Sequence, residues 1–152
     1  MPEWLIKSPT EPDEWKSYYR LRFNMLRKPW GQGSEDDRDP LDSEAIHGMI
    51  VDEKGQAIAV GRIHQIDPYT AQIRFMAVDE LSRGKGFGKH MLDYLEAAIM
   101  KRFPSIETII LQARENAVPF YEHHGYQIEE KTFVLFGLIQ HYLMKKTINK
   151  QE

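Results

Sequence analysis

Apolar residues recur first with helical and then with strand spacing along this chain. Trp4-Leu5-Ile6 reads as a short strand, and Thr10-Glu11-Pro12-Asp13 as a helix start, with Thr10 as N-cap, Pro12 in the first turn and acid near the positive end. Trp15, Tyr19, Phe23 and Leu26 follow at spacings of 4, 4 and 3, which predicts one apolar face of a helix over about 12–27. The segment from Arg27 to Asp42 is rich in Gly, Pro and acid and reads as a surface loop. From His47 to Val78 the period shortens to that of strands: 48–52, a turn at Glu53-Lys54-Gly55, 57–64, a turn at Asp67-Pro68-Tyr69, then 71–78. This predicts an antiparallel meander.

Met91, Leu92, Leu95, Ile99 and Phe103 mark a helix over about 86–102, closed by Pro104. The run Thr108 to Ala113 is continuously apolar enough to predict a strand buried on both faces. A strand, a helix and a second buried strand form a right-handed crossover, so 71–78 and 108–113 are expected to lie parallel. Asn116 then caps a short helix that has Pro119 in its first turn, runs to His123 and is stopped by Gly125; Tyr126-Gln127-Ile128 and Leu138 to Met144 supply two last strands. The predicted architecture is α/β, in the α+β sense: one domain over 1–152, with a mixed, mostly antiparallel sheet of about seven strands, a central parallel pair and flanking helices.

Composition narrows the function more than the fold. Hydrophobic residues make up 41% and charged residues 28%, and 20 Lys and Arg stand against 23 Asp and Glu for a net charge of -3. That balance carries no electrostatic footprint for nucleic acid or an anionic membrane. With no apolar run of membrane-spanning length, and a start that lacks a basic and then apolar leader pattern, the expected location is cytoplasmic. The absence of cysteine removes disulfides, thiolate metal sites and a cysteinyl nucleophile. His123-His124 lack metal-ligand spacing and are expected to be solvated, and no metal site is inferred.

The sharpest motif is Arg83-Gly84-Lys85-Gly86-Phe87-Gly88-Lys89, placed between a buried strand and a helix start. Glycines there let successive backbone N–H groups converge on one point, and the first helical turn adds unpaired donors and a positive dipole end, so a pyrophosphate fits. A tight strand-to-helix turn needing glycine only for its backbone angles is the plain alternative. The spacing is neither that of a P-loop nor that of the dinucleotide fingerprint, whose third glycine is replaced by Lys89.

At these residues the chain resembles the GNAT superfamily of acyl-CoA-dependent N-acetyltransferases, whose pyrophosphate loop reads Arg or Gln, two residues, Gly, one residue, then Gly or Ala; residues 83–88 match every position. A second element agrees, because Asn116, Tyr121, Gly125 and Tyr126 stand in the order of the family's strand, Asn, short helix, Tyr, and Gly-aromatic pair. Leu21-Arg22, Met25 to Pro29 and Gly137 to Met144 also look like a bacterial branch that includes the acetyltransferase half of an acetyltransferase–thioesterase fusion.

The resemblance implies roles. Met76, Ala77 and Val78 hold pantetheine through backbone where the two parallel strands splay. Gly84, Gly86, Phe87 and Gly88 meet the pyrophosphate through main chain, with charge from Arg83, Lys85 and Lys89. Asn116 bonds pantetheine as well as capping its helix. Tyr121 is the general acid, since a phenol with a pKa of about 10 is protonated at neutral pH and can supply a departing thiolate. The base stays open among His141, His64 and Glu44, with His141 the one carried forward. Glu35-Asp36-Asp37-Arg38-Asp39 reads either as a solvated loop or as an acidic rim drawing a cationic amine toward an aromatic wall at Trp30.

The expected activity is transfer of an acetyl group from acetyl-CoA to a primary amine by direct attack in a ternary complex, without a metal. The alternative is a non-catalytic CoA-binding sensor or interaction module on the same fold. The acceptor partner is a small-molecule or peptide amine, and a homodimer is left open.

Overall fold

The structure, a computed structural model, describes residues 3–31 and 38–148. Chain order is β1 (Trp4–Lys7), α1 (Pro12–Leu26), β2 (Ile46–Asp52), β3 (Ala57–Asp67), β4 (Thr70–Val78), α2 (Phe87–Arg102), β5 (Thr108–Arg114), α3 (Val118–His123), β6 (Gln127–Leu135) and β7 (Ile139–Thr147). The seven strands form one sheet in the order β1-β2-β3-β4-β5-β7-β6. Only β4 and β5 run parallel. The mixed sheet with a central parallel pair is therefore the one the sequence predicts. Among the described residues no helix is long and apolar enough to cross a membrane.

Two cores sit on opposite faces of the sheet. On one face α2 and α3 cover Ile50, Ala59, Ile63, Ala71, Ile73, Leu111 and Met144. On the other, Tyr18, Tyr19 and Leu21 of α1 cover Met49, Val51 and Val60. Glycine permits the close approach of α2: a Cβ on Gly61 would lie 2.8 Å from Leu95 Cδ1 and 3.0 Å from Met91 Cγ.

Several local expectations are corrected. Glu11, not Thr10, is the N-cap of α1. The Glu14 carboxylate accepts from the backbone N–H of Thr10 and Glu11 and from the Thr10 hydroxyl, and it also pairs with Lys7. The Glu11 bond and the Lys7 pairing lead in pulling its pKa down to about 2. The helix buries Tyr18, Tyr19, Leu21 and Arg22, while Phe23 and Leu26 stay half-buried, so the apolar spacing located the helix but set its inner face about one residue off. Strand β5 alternates, with Ile109, Leu111 and Ala113 buried and Ile110 and Gln112 only half-buried, because α1 packs on β3 and β4 and leaves β5 uncovered on that face. Strand β6 runs to Leu135, well past Ile128. Asn116 is exposed within a 3₁₀ turn, and Ala117 occupies the N-cap of α3.

What holds α1 over the sheet is a buried charged network. Asp42 accepts from the Tyr19 hydroxyl at 2.9 Å, from Arg62 Nη1 at 2.8 Å and from the backbone of Asp39 at 3.0 Å, and it pairs with Arg22 at 3.1 Å. Arg62 is fully buried and also donates to Asp39 at 2.8 Å. His47 donates through Nε2 to the Asp42 carbonyl at 2.8 Å, while its Nδ1 lies 2.7 Å from the Tyr18 hydroxyl. Burial opposes ionisation of Asp42, but hydrogen bonds from Arg22 and Arg62 outweigh it and hold the carboxyl well below the usual carboxylate range.

Removing one partner strands buried guanidinium groups. Asp42→Ala is therefore expected to cost about 3–5 kcal/mol in urea denaturation at neutral pH. Because the native pKa of Asp42 lies below its unfolded value, this stability is present above about pH 4 and is lost as pH falls through the native pKa. The wild type should consequently lose more stability than Asp42→Ala between about pH 7 and pH 3. Equal losses would detach Asp42 from the acid response.

Candidate functional site

The parallel ladder between β4 and β5 is short. It pairs Thr70 with Thr108 through Ile73 with Leu111 and then stops, although β4 continues to Val78 and β5 to Arg114. The cause is a bulge: between Val60↔Ala77 and Arg62↔Arg74, Phe75 and Met76 stand opposite the single residue Gly61. Phe75 takes a left-handed φ of 59°, uncommon for a bulky side chain. Before the bulge Ala71 and Ile73 face α2; after it Met76 and Val78 do, and Ala77 faces α1. Arg74 and Phe75 thus fall consecutively on the α1 face. Beyond Ile73 the β4 edge facing β5 carries backbone groups without a parallel partner, and these belong to the segment expected at Met76, Ala77 and Val78.

On the α2 face the glycine loop stands beside this gap. Gly84 and Gly86 adopt φ of 79° and 84°, and nothing lies within 4 Å of where a Cβ would sit on either. The first backbone bond of α2 runs from His90 to Gly86, which leaves the N–H groups of Phe87, Gly88 and Lys89 outside the helix's own ladder. Arg83 and Lys85 are exposed, and Lys89 pairs with Asp93 at 3.1 Å. The Phe87 side chain is buried edge-on against Trp4, so only its main chain is available to a ligand. A Cβ on Gly88 would stand 3.0 Å from the Phe120 ring, so that glycine lets α3 dock against the first turn of α2.

That docking brings Tyr121 to the gap. Its hydroxyl points at Met76 Sδ, 3.8 Å away. Burial pushes its pKa up to about 12, with the nearby Arg114 charge partly opposing the shift. The phenol is a protonated donor at neutral pH. Tyr126 donates to Glu96 at 2.9 Å, and Lys146 pairs with Glu96 at 3.0 Å, tying α2 to the strands beyond α3.

The α1 face carries the remaining candidates. Strand alternation puts Arg114 and its cross-strand partner His141 on this side. Arg114 Nη2 donates to the Leu26 carbonyl at 3.3 Å, joining the end of α1 to the end of β5. His141 is 5% exposed, stacks on Phe133 at 4.4 Å and donates from Nδ1 to the Ile139 carbonyl at 3.0 Å. Burial lowers its pKa. A neutral ring protonated at Nδ1 keeps a lone pair on Nε2, the tautomer a base requires. His64 differs, because Arg62 Nη2 approaches its Nδ1 at 3.4 Å and so claims the lone pair there. Glu44 is exposed in a 3₁₀ turn.

Trp30 packs against Phe136 of the β6–β7 turn at 6.4 Å. Glu35, Asp36 and Asp37 lie outside the described residues, whereas Arg38 stacks on Tyr19 at 3.5 Å and Asp39 binds Arg62. His123 is exposed, while His124 is half-buried against Phe120.

Sequence reasoning missed Arg22, Phe75, Arg74 and Arg114. Tyr19, Arg22, Phe23 and Arg27 do share one helix face, a visible signal, but the gathering of Arg22, Arg62 and Arg74 around Phe75 depends on a bulge that strand periodicity hides.

A sheet that splays beside a glycine turn, with a tyrosine at the opening, defines an acyltransferase fold, and the family comparison agrees. The acetyltransferase (GNAT) family model matches residues 13–126, and the chain belongs to that family. An uncharacterized N-acetyltransferase of Bacillus subtilis (strain 168), YjcF, is 28% identical over 134 residues, covering 88% of this chain and 93% of that protein. Among solved structures, an aminoglycoside 6'-N-acetyltransferase complexed with coenzyme A superposes with a TM-score of 0.81 at 18% identity, covering 97% of this chain and 99% of the other. Escherichia coli ElaA gives 0.79 at 19% identity, with 96% and 99% covered.

The reading of His141 has a direct check. Nitrogen NMR should show its neutral ring protonated at Nδ1, with a titration midpoint below the ordinary 6.5. A midpoint above that value, or a proton on Nε2, would contradict the geometry.

Proposed function

We propose that this chain transfers an acetyl group from acetyl-CoA to a primary amine by direct attack in a ternary complex. The observation that carries the reading is the gap between β4 and β5, which has an anion cradle and the Tyr121 hydroxyl on its α2 face and a concave arginine-lined surface on its α1 face.

The residues present fit coenzyme A. Gly84 and Gly86 are open where a ligand must approach main chain, the first turn of α2 offers N–H groups, and Arg83 and Lys85 add exposed charge. The unpaired β4 edge at Met76, Ala77 and Val78 suits the amides of pantetheine, and the exposed Asn116 amide would bond the same arm. Bound there, the cosubstrate supplies an activated acetyl thioester; the protein supplies position, charge and protons.

His141 takes the proton that an ammonium group must lose before it can attack, directly or through a water, using the lone pair on Nε2. Backbone N–H of the β4 edge stabilises the developing oxyanion. Tyr121 donates its proton to the departing sulfur, and the Arg114 charge steadies the phenolate that remains. With no cysteine in the chain, a cysteinyl-enzyme route is excluded.

Tyr121→Phe tests the chemistry. The ring and its packing survive, so CoA affinity should stay near wild type while turnover falls by about ten- to a thousandfold. The loss should shrink with a thioester whose leaving thiol has a low pKa, because that group barely needs a proton. Unchanged turnover with acetyl-CoA would remove Tyr121 from the mechanism.

Gly86→Asp tests the cradle. A carboxylate at a left-handed position facing the phosphate site should weaken CoA binding at least tenfold by calorimetry, about 1.4 kcal/mol or more, in a protein that still folds. Wild-type affinity in the folded variant would place the pyrophosphate elsewhere.

A further inference from the structure

Resting on the acetyl-transfer reading, we propose that the acceptor is a compact amine that also carries an anionic group, a carboxylate or a phosphate, held by arginines of α1 and the loop after it. A cavity of about 240 Å³ opens on the α1 face, lined by Tyr19, Arg22, Phe23 and Arg27 of one helical stripe and by Arg38 to Pro40. Its walls are largely aromatic, and its charged groups are the guanidinium groups of Arg22, Arg27 and Arg38 together with the single carboxylate of Asp39. Arg22 and Arg38 both lie over the Tyr19 ring, at 5.0 and 3.5 Å.

Among the described residues, positive charge on this face exceeds the carboxylates placed to balance it. Arg22, Arg62 and Arg74 all stack on Phe75, at 3.7, 4.9 and 4.6 Å, and Arg27 and Arg38 line the cavity beside them. Among the described residues the carboxylates of this cluster are Asp39 and Asp42, and both are committed: Asp42 to Arg22 and Arg62, Asp39 to Arg62 and Arg74. Neither reaches Arg27 or Arg38 within ion-pair distance. Burial, and then repulsion from Arg62, Arg22 and Arg27 against the attraction of Asp39, loosens the hold of Arg74 on its proton. The Arg62 Nε is buried with no acceptor among the described residues. A concave site with surplus guanidinium donors favours an anion that can be gripped by two forks, and it repels a polycation.

Position and size then fix the class. Arg22 links the cavity to Phe75, the bulge residue where β4 leaves β5, so an anion held by Arg22, Arg27 and Arg38 sits beside the gap through which the acetyl group is delivered. The volume is below the roughly 300–1,000 Å³ of sites for drug-sized ligands. An amine a few bonds from its own carboxylate satisfies both constraints.

The experiment uses the full chain with acetyl-CoA and matched acceptor sets: each common L-amino acid, its amide, its decarboxylated amine and its aminophosphonate. Thiol release is followed alongside calorimetric binding of the same compounds to the CoA-saturated protein. Acids or phosphonates should bind and react in preference to their amides and decarboxylated amines, and the better of the two identifies the anion. In Arg27→Gln/Arg38→Gln that preference should fall about ten- to a hundredfold, through acceptor KM and binding, with the KM for acetyl-CoA unchanged. Amides or decarboxylated amines used as well as the acids, acid preference surviving the double substitution, or no acid or phosphonate bound or acetylated would each overturn the proposal. Acids that bind the CoA complex without any thiol release would retain the anion site while sinking acetyl transfer.

Discussion

An antiparallel ladder alternates its side chains between two faces, and one extra residue in a strand reverses that alternation for everything beyond it. Here the reversal occurs at Phe75 and Met76, opposite Gly61, and the rest of the site depends on it. It bends β4 away from β5, so main-chain groups that a regular sheet would consume stay available. It also sends Met76 to the α2 face and Phe75 to the α1 face, so the gap has one neighbour on each side. A left-handed φ at a phenylalanine costs on the order of 1–3 kcal/mol. Three guanidinium groups stacked on its ring help to hold it there.

The two faces of the sheet solve different problems. The α2 face is apolar and close-packed, and its glycines at 48, 61 and 88 sit where any Cβ would collide with Met91, Leu95 or Phe120. That density fixes α3, and with it the hydroxyl of Tyr121, to the sheet. The α1 face adds buried charge to its apolar core: Arg62 is fully buried, and Asp42 and Arg22 nearly so. Apolar residues of similar volume would hold a helix at less desolvation cost, so a charged network is not the cheapest way to seat α1. Its consequence is placement, because Asp42 fixes Arg22 and Arg62 and leaves Arg27 and Arg38 to face the cavity.

The sequence made the central elements legible where burial follows periodicity. Strands β2 to β4, helix α2 and the parallel placement of β5 all emerge from apolar spacing, and the glycine loop from residue identity. It misled where burial and hydropathy part. Arg22 is buried and Phe23 only half so, and a hydropathy reading of α1 therefore set its inner face about one residue off. Strand β6 is an edge strand of Gln, Glu, Lys and exposed apolar residues, and carried no alternation to find. Asn116 and Thr10 have good cap chemistry, yet neighbouring residues fill both cap positions. Tyr121 and His141 could be nominated by motif, but the pairing that gives His141 a free Nε2, and its contrast with His64, needed coordinates.

Division of labour across the gap also explains how one fold can serve different acceptors. On the α2 side, in the proposed reading, the groups offered to a ligand are mostly main-chain donors, indifferent to most substitutions around them, joined by one phenol, the Asn116 amide and the exposed charge of Arg83 and Lys85. On the α1 side they are side chains of one helical stripe and one loop, Tyr19, Arg22, Phe23, Arg27 and Arg38, each replaceable without touching the bulge. Fold similarity to an aminoglycoside acetyltransferase at 18% identity therefore says nothing about acceptor charge here. A polycationic amine needs carboxylates around its entry, and the described carboxylates of this face are already bound to arginine. On the proposed reading, acceptor choice rests on the electrostatics of α1 and its following loop, and the chemistry on the backbone of β4 and the end of α3.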